Sequence, residues 1–168
     1  MRKYLKYLLI PILLVPQFNC ERDEICLEEI TPKLIIRFYN NDIQTEIKSV
    51  FNLSVNIEGI DGEYTNESIT AVTDSIAIPL KVTENITRFI LTIPGDETEG
   101  TEANLDTITV IYTQEDVFIS TACGYKTIFN ETNAGLVDDD DNWIKDLQTV
   151  TDPQQIIDEN AAHVKIYN

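Results

Sequence analysis

The chain is poor in the residues that most active sites use. Its 168 residues include one histidine, one tryptophan and three cysteines. The cysteines, Cys20, Cys26 and Cys123, are not closely spaced, and with His163 alone beside them they do not make a tetrahedral zinc set. No nucleophile stands near His163 in sequence, and a triad drawing on a distant residue such as Ser120 cannot be read from the chain. His163 opens an amphipathic strand, so it is expected to be a structural or exposed histidine.

Basic residues are scarce as well. Twelve Lys and Arg face 29 Asp and Glu, a formal charge of −17. Such a surface repels phosphate backbones and anionic headgroups, and no basic, aromatic-rich stripe offsets it, which excludes nucleic acid as a partner. The acidity itself reads as a solubility device. Long apolar runs are also missing. The longest, residues 7–18, is interrupted by Pro11 and Pro16 and falls short of the roughly 20 residues that span a bilayer core.

That short run has a different use. Arg2, Lys3 and Lys6 precede it, and the first 19 residues hold no acid. A positive start feeding a short apolar stretch is the pattern of an export signal. Cys20 follows, where bacterial lipoprotein processing needs the cysteine that takes a diacylglyceryl group and becomes the new first residue. The usual box has Leu at −3 and small residues at −2 and −1, whereas Gln17, Phe18 and Asn19 stand here. The alternative is an ordinary signal peptide or an uncleaved anchor, with Cys20 a spare thiol. The expected organisation is a signal peptide over 1–19, a lipidated cysteine and tether over 20–32, and one domain over 33–168. Glu21, Asp23 and Glu24 place acids directly after Cys20.

An odd cysteine count in an exported protein calls for an explanation. With Cys20 lipidated, Cys26 and Cys123 remain as a disulfide pair. The rival pairing is Cys20 with Cys26, a small loop that leaves Cys123 free.

Most of the chain alternates with period two, the mark of half-buried strands. Leu34, Ile36 and Phe38 alternate with Ile35, Arg37 and Tyr39. Phe51, Leu53, Val55 and Ile57 form the cleanest such run. Asp61-Gly62 is a turn signal. Ile76, Ile78 and Leu80 mark a strand that Pro79 assigns to a sheet edge. Phe89, Leu91 and Ile93 follow, ended by Pro94-Gly95, and an acidic loop is expected over 95–105. Ile108, Val110 and Tyr112 mark another strand, residues 114–116 a turn, and 117–121 a further strand. Residues 125–129 form one more, and the chain closes on a strand at 163–167 with Val164 and Ile166 inward. Trp143, Leu147 and Val150 suit a helix face, Val150 and Thr151 suit a strand, and 138–160 stays open between them. About eight short strands without alternating helices predict an all-β fold, an antiparallel β-sandwich of immunoglobulin-like type.

Four stretches carry a family resemblance: Cys20-x5-Cys26 with Thr31-Pro32-Lys33-Leu34-Ile35-Ile36-Arg37-Phe38-Tyr39; Arg88-Phe89-Ile90-Leu91; Ile119-Ser120-Thr121-Ala122-Cys123-Gly124-Tyr125-Lys126; and His163-Val164-Lys165-Ile166-Tyr167. Together they resemble an uncharacterised lipoprotein family of Bacteroidetes, a domain of unknown function. The resemblance implies an outer-membrane lipoprotein of the cell envelope, periplasmic or surface-exposed, with both downstream cysteines in use. It also implies an outer-membrane β-barrel or envelope assembly protein as partner, and it implies no cofactor or activity.

In that setting Asp74-Ser75-Ile76 and Asp106-Thr107-Ile108 match the Asp-(Ser/Thr)-apolar O-glycosylation pattern, at Ser75 and Thr107; both are equally readable as ordinary strand starts. Asn52, Asn66, Asn85 and Asn130 open N-linked sequons that a bacterial envelope protein is not expected to use. Asp138, Asp139, Asp140 and Asp141 form a run of acids that would suit calcium, though without the Gly and terminal Glu of an EF-hand loop; a solvated loop is its ordinary reading. No particular pair of carboxylates is marked for glycosidase work. The expectation is a lipid-anchored, non-catalytic accessory or binding subunit. The alternatives are an envelope glycan hydrolase with paired carboxylates and a calcium-dependent surface adhesin.

Overall fold

The computed structural model describes Cys26 and residues 31–65, 69–96, 98, 100–150 and 155–168. The expected signal peptide, Cys20, the acids that follow it and Asn66 lie outside these residues. Among the described residues there are ten strands and no helix.

The first strand, β1 (Leu34–Tyr39), forms where Leu34, Ile36 and Phe38 are all fully buried on one face. It is followed by β2 (Val50–Phe51), β3 (Ser54–Ile57), β4 (Val72–Thr73), β5 (Ser75–Ile78) and β6 (Ile86–Ile93). Then come β7 (Asn104–Ser120), β8 (Gly124–Leu136), β9 (Asp146–Thr149) and β10 (Val164–Tyr167). One sheet runs β5-β1-β10-β9 and the other β3-β6-β7-β8, with β2 and β4 as a separate pair. The inward faces share a single core. Ile36, Phe38, Ile76, Val164 and Ile166 meet Val55, Phe89, Leu91, Ile108 and Val110. Two sheets packed on one apolar core are consistent with a β-sandwich. At one side the sheets also touch through β8 and β9, where the Ala134 amide donates to Thr149 Oγ1 at 2.9 Å.

The pairing is not wholly antiparallel. β1 and β10 run parallel, with Ile36 opposite Val164 and Phe38 opposite Ile166. A parallel pair needs a long crossover, and here the rest of the domain is that crossover. β5 is an edge strand, as expected, but it ends at Ile78, so Pro79 stops the strand rather than sitting in its ladder.

Other expectations need correction. The run from Phe51 to Ile57 is two strands, not one. Asn52 takes a left-handed backbone (φ 47°), which breaks the ladder and reverses the parity, so Val50 points in and Phe51 out. No turn interrupts 114–116. β7 continues straight through, pairing Gln114 with Phe129, Glu115 with Ile128 and Asp116 with Thr127. The polarity there marks exposure rather than reversal. Asn130 Nδ2 donates to Glu115 Oε2 at 3.0 Å, and Thr127 Oγ1 donates to Asp116 Oδ1 at 2.7 Å across the ladder. The segment around Trp143 is not helical. Trp143 and Ile144 are buried in an irregular, bent segment ahead of β9.

β7 pairs with β6 only over Asn104–Ile111, and beyond it β7 and β8 continue as a ribbon. The register slips between Ile111 and Thr113, with the extra residue on β8, where Glu131 has φ 52°. A bulge of this kind bends the ribbon and increases its twist. At the tip Gly124 has φ +73°, a conformation L side chains avoid. At the other end of β7, Gly95 lets the β6–β7 loop close: a Cβ there would lie 2.1 Å from the Thr101 carbonyl oxygen.

A disulfide joins Cys26 to Cys123, with Cα atoms 4.9 Å apart. This excludes the Cys20–Cys26 pairing and clips the N-terminal segment to the ribbon tip. The bridge spans 97 residues, for which the chain-entropy model gives up to about 4.7 kcal/mol. Replacing Cys26 by Ser and replacing Cys123 by Ser are expected to lower the urea midpoint equally, and the double variant lowers it by no more than either. Additive losses would show that each side chain acts independently of the bridge.

Candidate functional site

The inward face of β7 shows how this domain uses its polar residues. Ile108, Val110 and Tyr112 are buried in alternation, and the same phase extended backwards reaches Asp106, which is also fully buried. Its carboxylate accepts the Trp143 amide at 3.3 Å and the Ile144 amide at 2.7 Å. Burial raises the Asp106 pKa above its ordinary value, and the bonds from Ile144, Asn142 and Trp143 oppose that rise. Asp106 therefore ties the bent segment ahead of β9 onto β7. The sequence reading treated Asp106 as the first residue of a glycosylation pattern. The period-two register from Ile108 would have placed it in the core.

Tyr112 and Thr87 form a second such fastening. The Tyr112 hydroxyl donates to the Lys81 carbonyl at 2.7 Å and lies 2.6 Å from Thr87 Oγ1, which accepts the Lys81 amide at 3.0 Å. Gln114 Nε2 donates to the Lys81 and Glu84 carbonyls. These bonds close the loop between β5 and β6. Burial raises the Tyr112 pKa.

His163 fastens the parallel pair. The Ile35 amide donates to His163 Nδ1 at 2.9 Å, and the His163 amide donates back to the Ile35 carbonyl at 2.8 Å. Nδ1 must carry its lone pair to accept, so the ring is neutral with its proton on Nε2. Burial lowers the His163 pKa below 6.5, against the opposing charges of Asp158 and Glu159.

The remaining expected residues are placed as follows. Ser75 starts β5, half-buried, and its hydroxyl donates to the Ile36 carbonyl at 3.2 Å. Thr107 is half-buried on β7. The run Asp138, Asp139, Asp140 and Asp141 forms an exposed loop between β8 and β9 that is knit by its own groups. The Asp141 amide donates to Asp139 Oδ1 at 3.1 Å, and the Asp139 amide to Asn142 Oδ1 at 2.8 Å. Among the described residues no group of three or more His, Cys, Asp or Glu is placed to hold a metal ion.

Open depressions among the described residues include two of similar size. One, of about 300 Å³, lies beside Phe51, Ile93, Pro94 and Trp143; the other, of about 320 Å³, lies beside Ile60, Tyr64 and Pro79. Asp106, Tyr112 and His163 line neither. Asp106, Tyr112 and His163 each hydrogen-bond backbone groups of neighbouring segments.

A model for a family of unknown function, DUF6452, matches residues 52–168. The chain belongs to this family. No curated protein and no solved structure matches it. The matched DUF6452 span begins at Asn52, so it holds β10 and Cys123 but neither β1 nor Cys26, their respective partners.

Two outcomes follow for the DUF6452 domain. Asp106→Asn turns an amide donor toward one of two buried N–H groups, and is expected to cost about 1–3 kcal/mol in chemical denaturation. An unchanged midpoint would mean that the 143–144 segment is held by packing alone. For His163 the unfolded chain takes up a proton near pH 6.5 while the folded chain does not. Stability is therefore full above that pH and falls as pH drops through it. Urea midpoints between about pH 8 and about pH 5 should show this fall in the wild type. The fall should shrink in His163→Asn, which keeps an acceptor for Ile35. Equal slopes in both proteins would assign the acid sensitivity to other groups.

Proposed function

We propose that the protein is a lipid-anchored component of a bacterial cell envelope, held to the membrane through Cys20 and serving as a non-catalytic accessory or binding subunit. The observation that carries this reading is the cysteine pairing. The Cys26–Cys123 disulfide uses two of the three cysteines and leaves Cys20 with no cysteine in the chain to pair with. Cys20 stands directly after a positively charged start and a short apolar run, where a lipoprotein needs its acylated residue. A long-range disulfide also fits an oxidising compartment outside the cytoplasm.

In this reading the protein is an outer-membrane lipoprotein of the Bacteroidetes type, its scaffold is immunoglobulin-like, and its partner is an outer-membrane β-barrel or assembly protein. The non-catalytic role is supported by the engagement of Asp106, Tyr112 and His163 with backbone groups. Asp106 has the raised carboxyl pKa that a glycan hydrolase would want, yet it has no exposed surface to offer a substrate.

Expression of the full chain in a bacterial host, with membrane fractionation and intact-mass measurement, tests the anchor. The wild type is expected in the membrane fraction, beginning at Cys20 and carrying acyl mass, while Cys20→Ser loses that mass. A mature chain cut elsewhere without acyl groups would overturn the reading. A hydrolase activity abolished by one point change would overturn the accessory role.

A further inference from the structure

The tip of the β7–β8 ribbon differs from the rest of the surface. Residues 117–125 hold no charged side chain, in a chain of which 24% is charged. Phe118 and Tyr125 are cross-strand partners there, 54% and 63% exposed, with rings edge to face at 5.4 Å. Thr121 and Ala122 at the turn are exposed too. Other exposed apolar pairs exist, such as Phe51 with Val72 on β2 and β4, but the ribbon tip alone carries the disulfide to Cys26.

That disulfide fixes where the tip can be. Cys26 is six residues after Cys20, and six residues reach at most about 20 Å. The anchored residue and the tip are therefore close by covalent constraint, whichever way the tether runs. The acidic body is repelled by anionic headgroups. Residues 117–125 of the tip add no charge of their own to that repulsion, and a paired Phe and Tyr suit the boundary between headgroups and acyl chains, with apolar rings and one hydroxyl for water.

We propose that the β7–β8 tip rests on the lipid surface, with Phe118 and Tyr125 among the headgroups, so that the domain stands on the membrane in a fixed orientation. This rests on the anchoring reading above. The contact orients a protein that its acyl chains already hold, since two aromatic side chains are a weak anchor alone.

The test uses acylated full-length protein in vesicles of phosphatidylethanolamine and phosphatidylglycerol, some with bromine on the acyl chain near the headgroup. Phe118→Trp is compared with Val72→Trp, and the wild type supplies the signal of its single tryptophan, Trp143. Emission at 118 is expected to shift to the blue on reconstitution and to be quenched several-fold more than at 72. Equal quenching at both positions, or none at 118, overturns the proposal, including the case where a protein partner rather than lipid shields the tip. Intact mass separates the two readings. Acyl mass without quenching removes this proposal alone, whereas absence of acyl mass removes the anchor and this proposal with it.

Discussion

The parallel pairing of β1 with β10 is the constraint on which the rest depends. It joins the start of the described domain to its end, and it places β1 between β5 and β10 at the centre of one sheet. Parallel pairs are slightly weaker per residue than antiparallel ones, and this one is reinforced where it begins. His163 and Ile35 exchange two hydrogen bonds, one through the imidazole, so the strand entry is specified by a side chain as well as by the ladder. Below it, Ile36, Phe38, Val164 and Ile166 face the same core. Loss of this pair would expose β1 and β10 edges together and strip half the core of its cover.

The same logic explains why polar side chains are buried in this core. A domain of short strands has many loop backbones that must cross or abut its core, and their N–H and C=O groups need partners. Asp106 supplies two acceptors to Trp143 and Ile144, Tyr112 and Thr87 serve Lys81, and His163 serves Ile35. Each is a side chain spent on a backbone group. The shifts in protonation follow from burial at those posts.

Much of the fold was legible because alternation reports burial directly. β1, β3, β5, β6 and β10 appear where the period-two runs lie, and the Pro79 strand is an edge. The readings failed where polarity and burial part company. Gln114, Glu115 and Asp116 are polar because a two-stranded ribbon is wet on its outer side, and nothing in composition separates that from a turn. Asn52 reverses parity through one backbone angle that no side-chain pattern encodes. Around Trp143 the spacing of apolar residues suited a helix, but Asp106, 37 residues away, accepts the Trp143 amide, and with it the Ile144 amide, which a helix would need for its own bonding. The Asp106 role was accessible by extending the β7 register. The His163 bond was not, since it needs the parallel pairing to bring residues 128 apart together.

The ribbon, the disulfide and the acidic surface form one mechanical argument. Beyond Ile111, β7 has lost β6 as a neighbour, and a bare two-stranded ribbon is marginal in water. Near its base Phe129 and Ile156 exchange backbone hydrogen bonds and are both fully buried, which secures that end to the core. At the tip, where Phe118, Thr121, Ala122 and Tyr125 are exposed, the Cys26–Cys123 bond supplies a covalent tie to the N-terminal segment. Under the proposed anchor at Cys20, a pull between membrane and domain would enter at Cys26, six residues along the chain, and the bridge would pass part of it to the ribbon tip. The bulge at Glu131 bends the ribbon where it leaves the sandwich.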